Sequence, residues 1–177
     1  MIIWTGIEVD RQLQALKESA AETEKKLAPA HSIRTLPFHI SLKMSFPAAP
    51  EQVEAITQAL RDYYSGIEAF EIPVSRIEYY GTILWVRMAG CPGLERMKDE
   101  INAMLKDRFG IGMHEYDSDY IFHTTLFMDD EAEKVYRAWE MMNDKPLPEK
   151  LRTESFLIGY SETGEPGSFR VVSRQPV

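Results

Sequence analysis

The strongest constraint on this chain is that it repeats itself. Phe38-His39-Ile40-Ser41-Leu42 and Phe122-His123-Thr124-Thr125-Leu126 are two pentads of one design within 177 residues. Each follows an apolar, strand-like run holding a tryptophan, residues 2–9 with Trp4 and residues 82–88 with Trp85. The separation from tryptophan to histidine agrees between the two halves to within a few residues. A repeat that takes half the chain points to two similar lobes about a pseudo-twofold axis, not to a solenoid of short units.

Hydrophobic periodicity gives both halves the same element order. In the first, Asp10 is positioned to cap a helix carrying Leu13, Leu16, Ala20 and Leu27, and a strand over 38–44 follows. Pro50 opens a helix with Val53, Ile56 and Leu60 inward, and 70–80 is a strand in which Pro73 demands an edge or a bulge. In the second, Leu94, Met97, Ile101, Met104 and Leu105 stripe a helix that stops near Gly110, and 120–127 forms a strand. Asp129 or Asp130 then caps a helix with Ala132, Val135, Trp139 and Met142 inward. Strands over 154–160 and 169–174 close the chain about the turn Glu162-Thr163-Gly164-Glu165-Pro166-Gly167. The expected fold is α+β. It is a single duplicated, bilobal domain over 1–177 with approximate halves 1–80 and 81–177, each lobe an antiparallel sheet with helices, around a central cleft.

Strand side chains alternate between faces, so His39 shares a face with Ser41, and His123 with Thr125. Brought together by the pseudo-symmetry, two imidazoles and two hydroxyls suit in-line displacement at phosphorus. One neutral ring takes a proton from the attacking water or ribose hydroxyl, and the other, as imidazolium, gives one to the leaving oxygen. The hydroxyls hold the non-bridging oxygens, and this chemistry calls for neither a metal nor a cofactor. Lys43 falls on the His39 face by the same alternation and is a candidate phosphate ligand. Tyr120, at the start of the second motif strand, is a candidate for substrate binding. His31 and His114 read as surface residues, and Asp129-Asp130-Glu131 reads as a helix start, not a metal site.

Composition narrows the partners. Hydrophobic residues at 44% and charged residues at 27% are those of a chain that folds. A net charge of -8 argues against a broad basic surface for long nucleic acid, while leaving room for a small basic pocket. The single cysteine, Cys91, excludes an intrachain disulfide framework and points to a reducing, cytoplasmic setting. The apolar run at residues 1–8 is too short for a signal core or a membrane span. The expected protein is a monomer acting on a small nucleotide or an RNA terminus, with no membrane partner.

The paired His-x-Ser/Thr strands, each preceded by Phe and followed by Leu, resemble the two-histidine phosphoesterases, which include 2′-5′ RNA ligase-like proteins and RNA cyclic phosphodiesterases. The resemblance covers nearly the whole chain. It implies a bilobal fold with a central cleft and metal-independent hydrolysis or transfer at phosphoesters, often a 2′,3′-cyclic phosphate, with His39, Ser41, His123 and Thr125 as the working residues. By analogy His123 is the base and His39 the acid, although the pseudo-symmetry leaves the reverse assignment open; run in reverse, the reaction could join ends. RNA-ligase-like members often carry an arginine shortly after the second motif, where this chain has Phe127-Met128. Lys43 is then the candidate for the missing positive charge. The alternative reading is a nucleotide- or RNA-end-binding module that uses the same pocket without turnover.

Overall fold

A computed structural model describes residues 1–165 and 167–177. Pro166, expected in the turn before the last strand, and the side chain of Arg34 lie outside the described residues. The first repeat runs β1 (Ile2–Glu8), α1 (Gln14–Leu27), β2 (His39–Pro47), α2 (Val53–Tyr64) and β3 (Glu71–Tyr80). The second runs β4 (Ile83–Met88), α3 (Pro92–Phe109), β5 (His123–Met128), α4 (Ala132–Met142), a short β6 (Lys150–Arg152) and β7 (Ser155–Ser161), after which β8 (Arg170–Pro176) ends the chain.

The strands form two four-stranded antiparallel sheets, β2-β1-β7-β8 and β5-β4-β3-β6. Sheet membership crosses the sequence halves. β3 ends the first repeat yet pairs with β4 of the second, and β7 of the second repeat pairs with β1. The helices cross as well: α1 follows β1 but packs on β5 and α4, and α3 follows β4 but packs on β2. Residue 80 is therefore a boundary of element order and not of a lobe. One continuous apolar cluster joins Ile7, Ile40 and Leu42 of one sheet to Leu84, Val86 and Leu126 of the other.

Local chemistry explains the departures from simple periodicity. Asp10 does not cap α1: it opens a 3-10 turn, accepts the Phe38 backbone N–H at 2.9 Å and pairs with Lys17 at 2.6 Å. That ties the end of β1 to the start of the first motif. Pro73 lies in an interior strand, opposite Lys150 of β6, and the β3–β4 register slips just after it, between Val74 and Arg76. Under β1, the buried Thr5 hydroxyl donates to the Leu157 carbonyl at 2.8 Å and meets the Tyr64 hydroxyl at 2.5 Å. The Tyr64 ring stacks on Phe156 at 4.2 Å, so this polar pair is sealed by apolar packing.

Two glycines permit close approach. A β-carbon on Gly6 would overlap the Ile40 carbonyl oxygen of the neighbouring strand, and one on Gly159 would overlap the Trp4 indole nitrogen and the Arg170 carbonyl oxygen. Gly159→Ala is expected to cost about 1–3 kcal/mol through overpacking. Urea denaturation followed by tryptophan emission measures this, and an unchanged midpoint would show that Trp4 does not need the space.

Candidate active site

His39 and His123 are the first residues of β2 and β5, the edge strands that lie side by side where the two sheets meet. Each ring donates Nδ1–H to the carbonyl two residues earlier, His39 to Pro37 at 2.9 Å and His123 to Ile121 at 2.7 Å. A carbonyl only accepts, so the proton of each neutral ring sits on Nδ1 and Nε2 is free for proton transfer. His39, Ser41, His123 and Thr125 are half-buried, while Ile40, Leu42, Thr124 and Leu126 between and after them are buried, as the alternation requires.

An indole lies against each imidazole. The Trp4–His39 and Trp85–His123 centroids are both 4.4 Å apart, with interplanar angles of 36° and 33°. The two indoles reach these places from different registers. Trp85 pairs with Thr125, whereas Gly6 stands opposite Ser41 and Trp4 lies two residues earlier. Burial pulls both histidines below their ordinary value of 6.5; the bonds to Pro37 and Ile121 oppose it, and His123 lowers His39 further. Beside the His39 ring opens a cavity of about 250 Å³, walled mainly by Ile33, Leu36, His39, Thr125, Met128 and Phe169. Thr124 also lines it, with a buried hydroxyl that has no partner among the described residues.

Lys43 is a correction to the sequence reading. The β1–β2 register slips on both sides of the Thr5–Lys43 pair, so Leu42 and Lys43 are both buried in sequence and the alternation that would present Lys43 beside His39 is broken. Its ammonium is 1% exposed and pairs with Asp117, itself fully buried. Asp117 also accepts the His114 backbone N–H at 2.6 Å, and its carbonyl accepts from Lys98 at 3.3 Å. Lys43 thus anchors the segment between α3 and β5 instead of offering charge to the cleft.

Tyr120 precedes β5 instead of lying within it, and packs edge-on to Phe122 at 5.2 Å. Burial pushes its hydroxyl well above the ordinary range; a contact with Ser41 opposes this and the Asp117 charge adds to it. The phenol therefore keeps its proton next to the first motif, and the residue is half-buried. His31 and His114 lie outside the cleft, paired with Asp130 at 3.0 Å and capping a short turn, respectively. Neither Asp129 nor Asp130 caps α4, whose N-cap is Glu131 without a side-chain cap bond; Asp129 instead accepts the backbone N–H groups of Glu131 and Ala30, both at 2.8 Å, tying the start of α4 to the loop after α1.

Periodicity within one strand missed Arg87. It stands directly opposite His123 in the β4–β5 pairing, so both side chains project to the same face. Arg76 stands opposite Arg87 in the next pairing. The signal was present in part, since Trp85 and Arg87 alternate with Leu84, Val86 and Met88.

A sequence model of the 2′-5′ RNA ligase superfamily matches residues 6–165. The chain belongs to the 2′-5′ RNA ligase superfamily. Solved structures share the fold of this superfamily member over nearly all its length. Escherichia coli LigT complexed with 3′-AMP is 14% identical with a TM-score of 0.63, covering 99% of this chain and 97% of that one. The Thermus thermophilus protein TT0787 is 14% identical with a TM-score of 0.60 and the same coverage. Kluyveromyces marxianus Usb1 is 12% identical with a TM-score of 0.50, covering 99% and 98%. No protein of curated function matches in sequence.

Replacing Lys43 leaves the Asp117 carboxylate buried without its counter-ion. Lys43→Met is expected to lose about 3–5 kcal/mol, with Lys43→Met/Asp117→Asn regaining part of it. Denaturant midpoints of the three proteins test this, and equal midpoints for wild type and Lys43→Met would count against a structural pair.

Proposed function

We propose that this chain is a metal-independent phosphodiesterase that opens a cyclic or 2′,5′-linked phosphoester on a small nucleotide or an RNA end. The carrying observation is the matched pair of rings, each fixed through Nδ1 with Nε2 free, on adjacent strands with a hydroxyl residue two positions along. LigT structures with 3′-AMP, ATP and NADP+ support a nucleotide ligand for this fold. The interleaved strands support reading the 177 residues as one two-lobed domain, and a single buried thiol at Cys91 suits a cytoplasmic setting.

In the proposed reaction His123 Nε2 takes a proton from water as the water oxygen bonds to phosphorus. The bond from phosphorus to one ribose oxygen breaks, and His39 Nε2 delivers its proton to that oxygen. Ser41 and Thr125 donate to the non-bridging oxygens, whose charge the surrounding burial makes costly to leave unpaired. Glu8 stands opposite His39 and Arg87 opposite His123, but Glu8 is paired with Arg174 at 2.8 Å and Arg87 with Glu78 at 3.3 Å, so neither charge decides which ring donates.

Turnover of 2′,3′-cyclic nucleotides in EDTA should fall by about 10²–10⁴-fold in His39→Ala and in His123→Ala. Binding of the same compounds without turnover, across a broad phosphoester panel, would make the chain a binding module instead. The pH dependence follows from the lowered histidines. The form with one proton shared by the pair is most populated below 6.5 in the free protein, so kcat/KM should peak on the acid side of that value. An anionic substrate favours the imidazolium, so the kcat profile should lie at higher pH. A kcat/KM maximum well above 6.5 would contradict the buried pair.

A further inference from the structure

On the cleft face of the second sheet, side chains stand in rows set by register. His123, Arg87 and Arg76 oppose one another across β5, β4 and β3, and Thr125, Trp85 and Glu78 form the next row. Directly opposed residues in antiparallel strands share a face with β-carbons about 4.5–5.5 Å apart, so each row is a track leading away from a catalytic group. Glu78 ties the rows together. It accepts from Trp85 Nε1 at 3.2 Å and Arg87 Nη1 at 3.3 Å, and pairs with Arg76 Nη2 at 2.7 Å. Two guanidinium groups against one carboxylate leave the track positive within a chain of net charge -8. Both remain reachable, Arg87 being 39% and Arg76 61% exposed. Tyr80, 77% exposed, stacks on Trp85 at 6.3 Å with an interplanar angle of 18°, which leaves its outer face open.

We infer that this track is a subsite for the nucleotide adjoining the reacting phosphate, with Arg87 and Arg76 holding the neighbouring phosphodiester and the Tyr80–Trp85 ledge stacking its base. The inference rests on the phosphodiesterase reading and narrows it to RNA ends of two or more nucleotides over lone mononucleotides. Guanidinium groups match phosphate oxygens in geometry, and aromatic faces accept any base, so the pair recognises a strand without reading its sequence. The mostly apolar cavity beside His39 has no lysine or arginine among its described lining residues, so a second phosphate is better held on the arginine track.

The test compares a pentaribonucleotide ending in a 2′,3′-cyclic phosphate with a 2′,3′-cyclic mononucleotide. In Arg76→Ala and in Tyr80→Ala, both at exposed positions, the ratio of the two kcat/KM values should fall about tenfold. In parallel, fluorescence anisotropy follows a labelled pentaribonucleotide 3′-phosphate against salt concentration. Each lost arginine contact should flatten the log–log slope by about 0.7, with Arg87→Lys retaining more of the slope than Arg87→Ala. An unchanged ratio together with an unchanged slope would overturn the subsite even in an active enzyme. Absence of turnover of either substrate by the wild type, with the slope changes intact, would remove the phosphodiesterase reading and leave the subsite standing.

Discussion

Because β3 hydrogen-bonds to β4 and β7 to β1, neither repeat can complete its sheet alone, and the cleft depends on this exchange. The first sheet gains its full width only when the second repeat supplies β7 and β8, and the second only when the first supplies β3, which leaves β2 and β5 as edges facing each other. An exposed strand edge is ordinarily a liability. Here the two edges carry the histidines and are flanked by helices that also cross between repeats, α1 on β5 and α3 on β2. The same contacts that fold the chain thus fix the relative positions of His39 and His123.

The period-2 pattern of a single strand was enough to place His39 with Ser41 and His123 with Thr125, because facing within a strand is a local property. Pairing register is not local, and it decided what the pattern missed. Lys43 lies on the His39 face by alternation, but slips at the Thr5 pairing turn it into the interior, where Asp117 neutralises it. Arg87 lies far from the second motif in sequence, but one strand pairing brings it opposite His123. The exchange of β3 and β7 was equally invisible, since a repeated element order is compatible with either strand partner. The short β6 has too few residues to show a period and is defined only by its pairing with β3.

The histidine environment opposes two requirements of the proposed chemistry. Burial against indoles fixes the rings but disfavours the imidazolium that must donate a proton. In the proposed reaction the substrate resolves the opposition, because an anionic phosphoester between the rings would lower the cost of a positive charge there. Proton donation is then strongest when the cleft is filled and weakest when it is empty.

The pseudo-symmetry ends at the second layer. Trp4 is packed over Gly159, and its buried indole N–H has no partner among the described residues, so its lobe supports His39 by apolar contact. Trp85 instead donates to Glu78, which binds Arg76 and Arg87, so the support beneath His123 is continuous with a charged surface. Burial raises the Glu78 carboxyl, but the Trp85 bond and the two arginines outweigh it and hold the group below its ordinary range, keeping the network ionised. A substrate entering a truly twofold cleft could lie in either direction with equal energy. With the Arg76–Glu78–Arg87 network and the exposed Tyr80 ring on the His123 side, and the Glu8–Arg174 pair on the His39 side, the two directions differ in energy, and in the proposed subsite a phosphate chain is drawn toward the second sheet. The two histidines then meet chemically different oxygens, and a duplicated pair can act as one acid and one base.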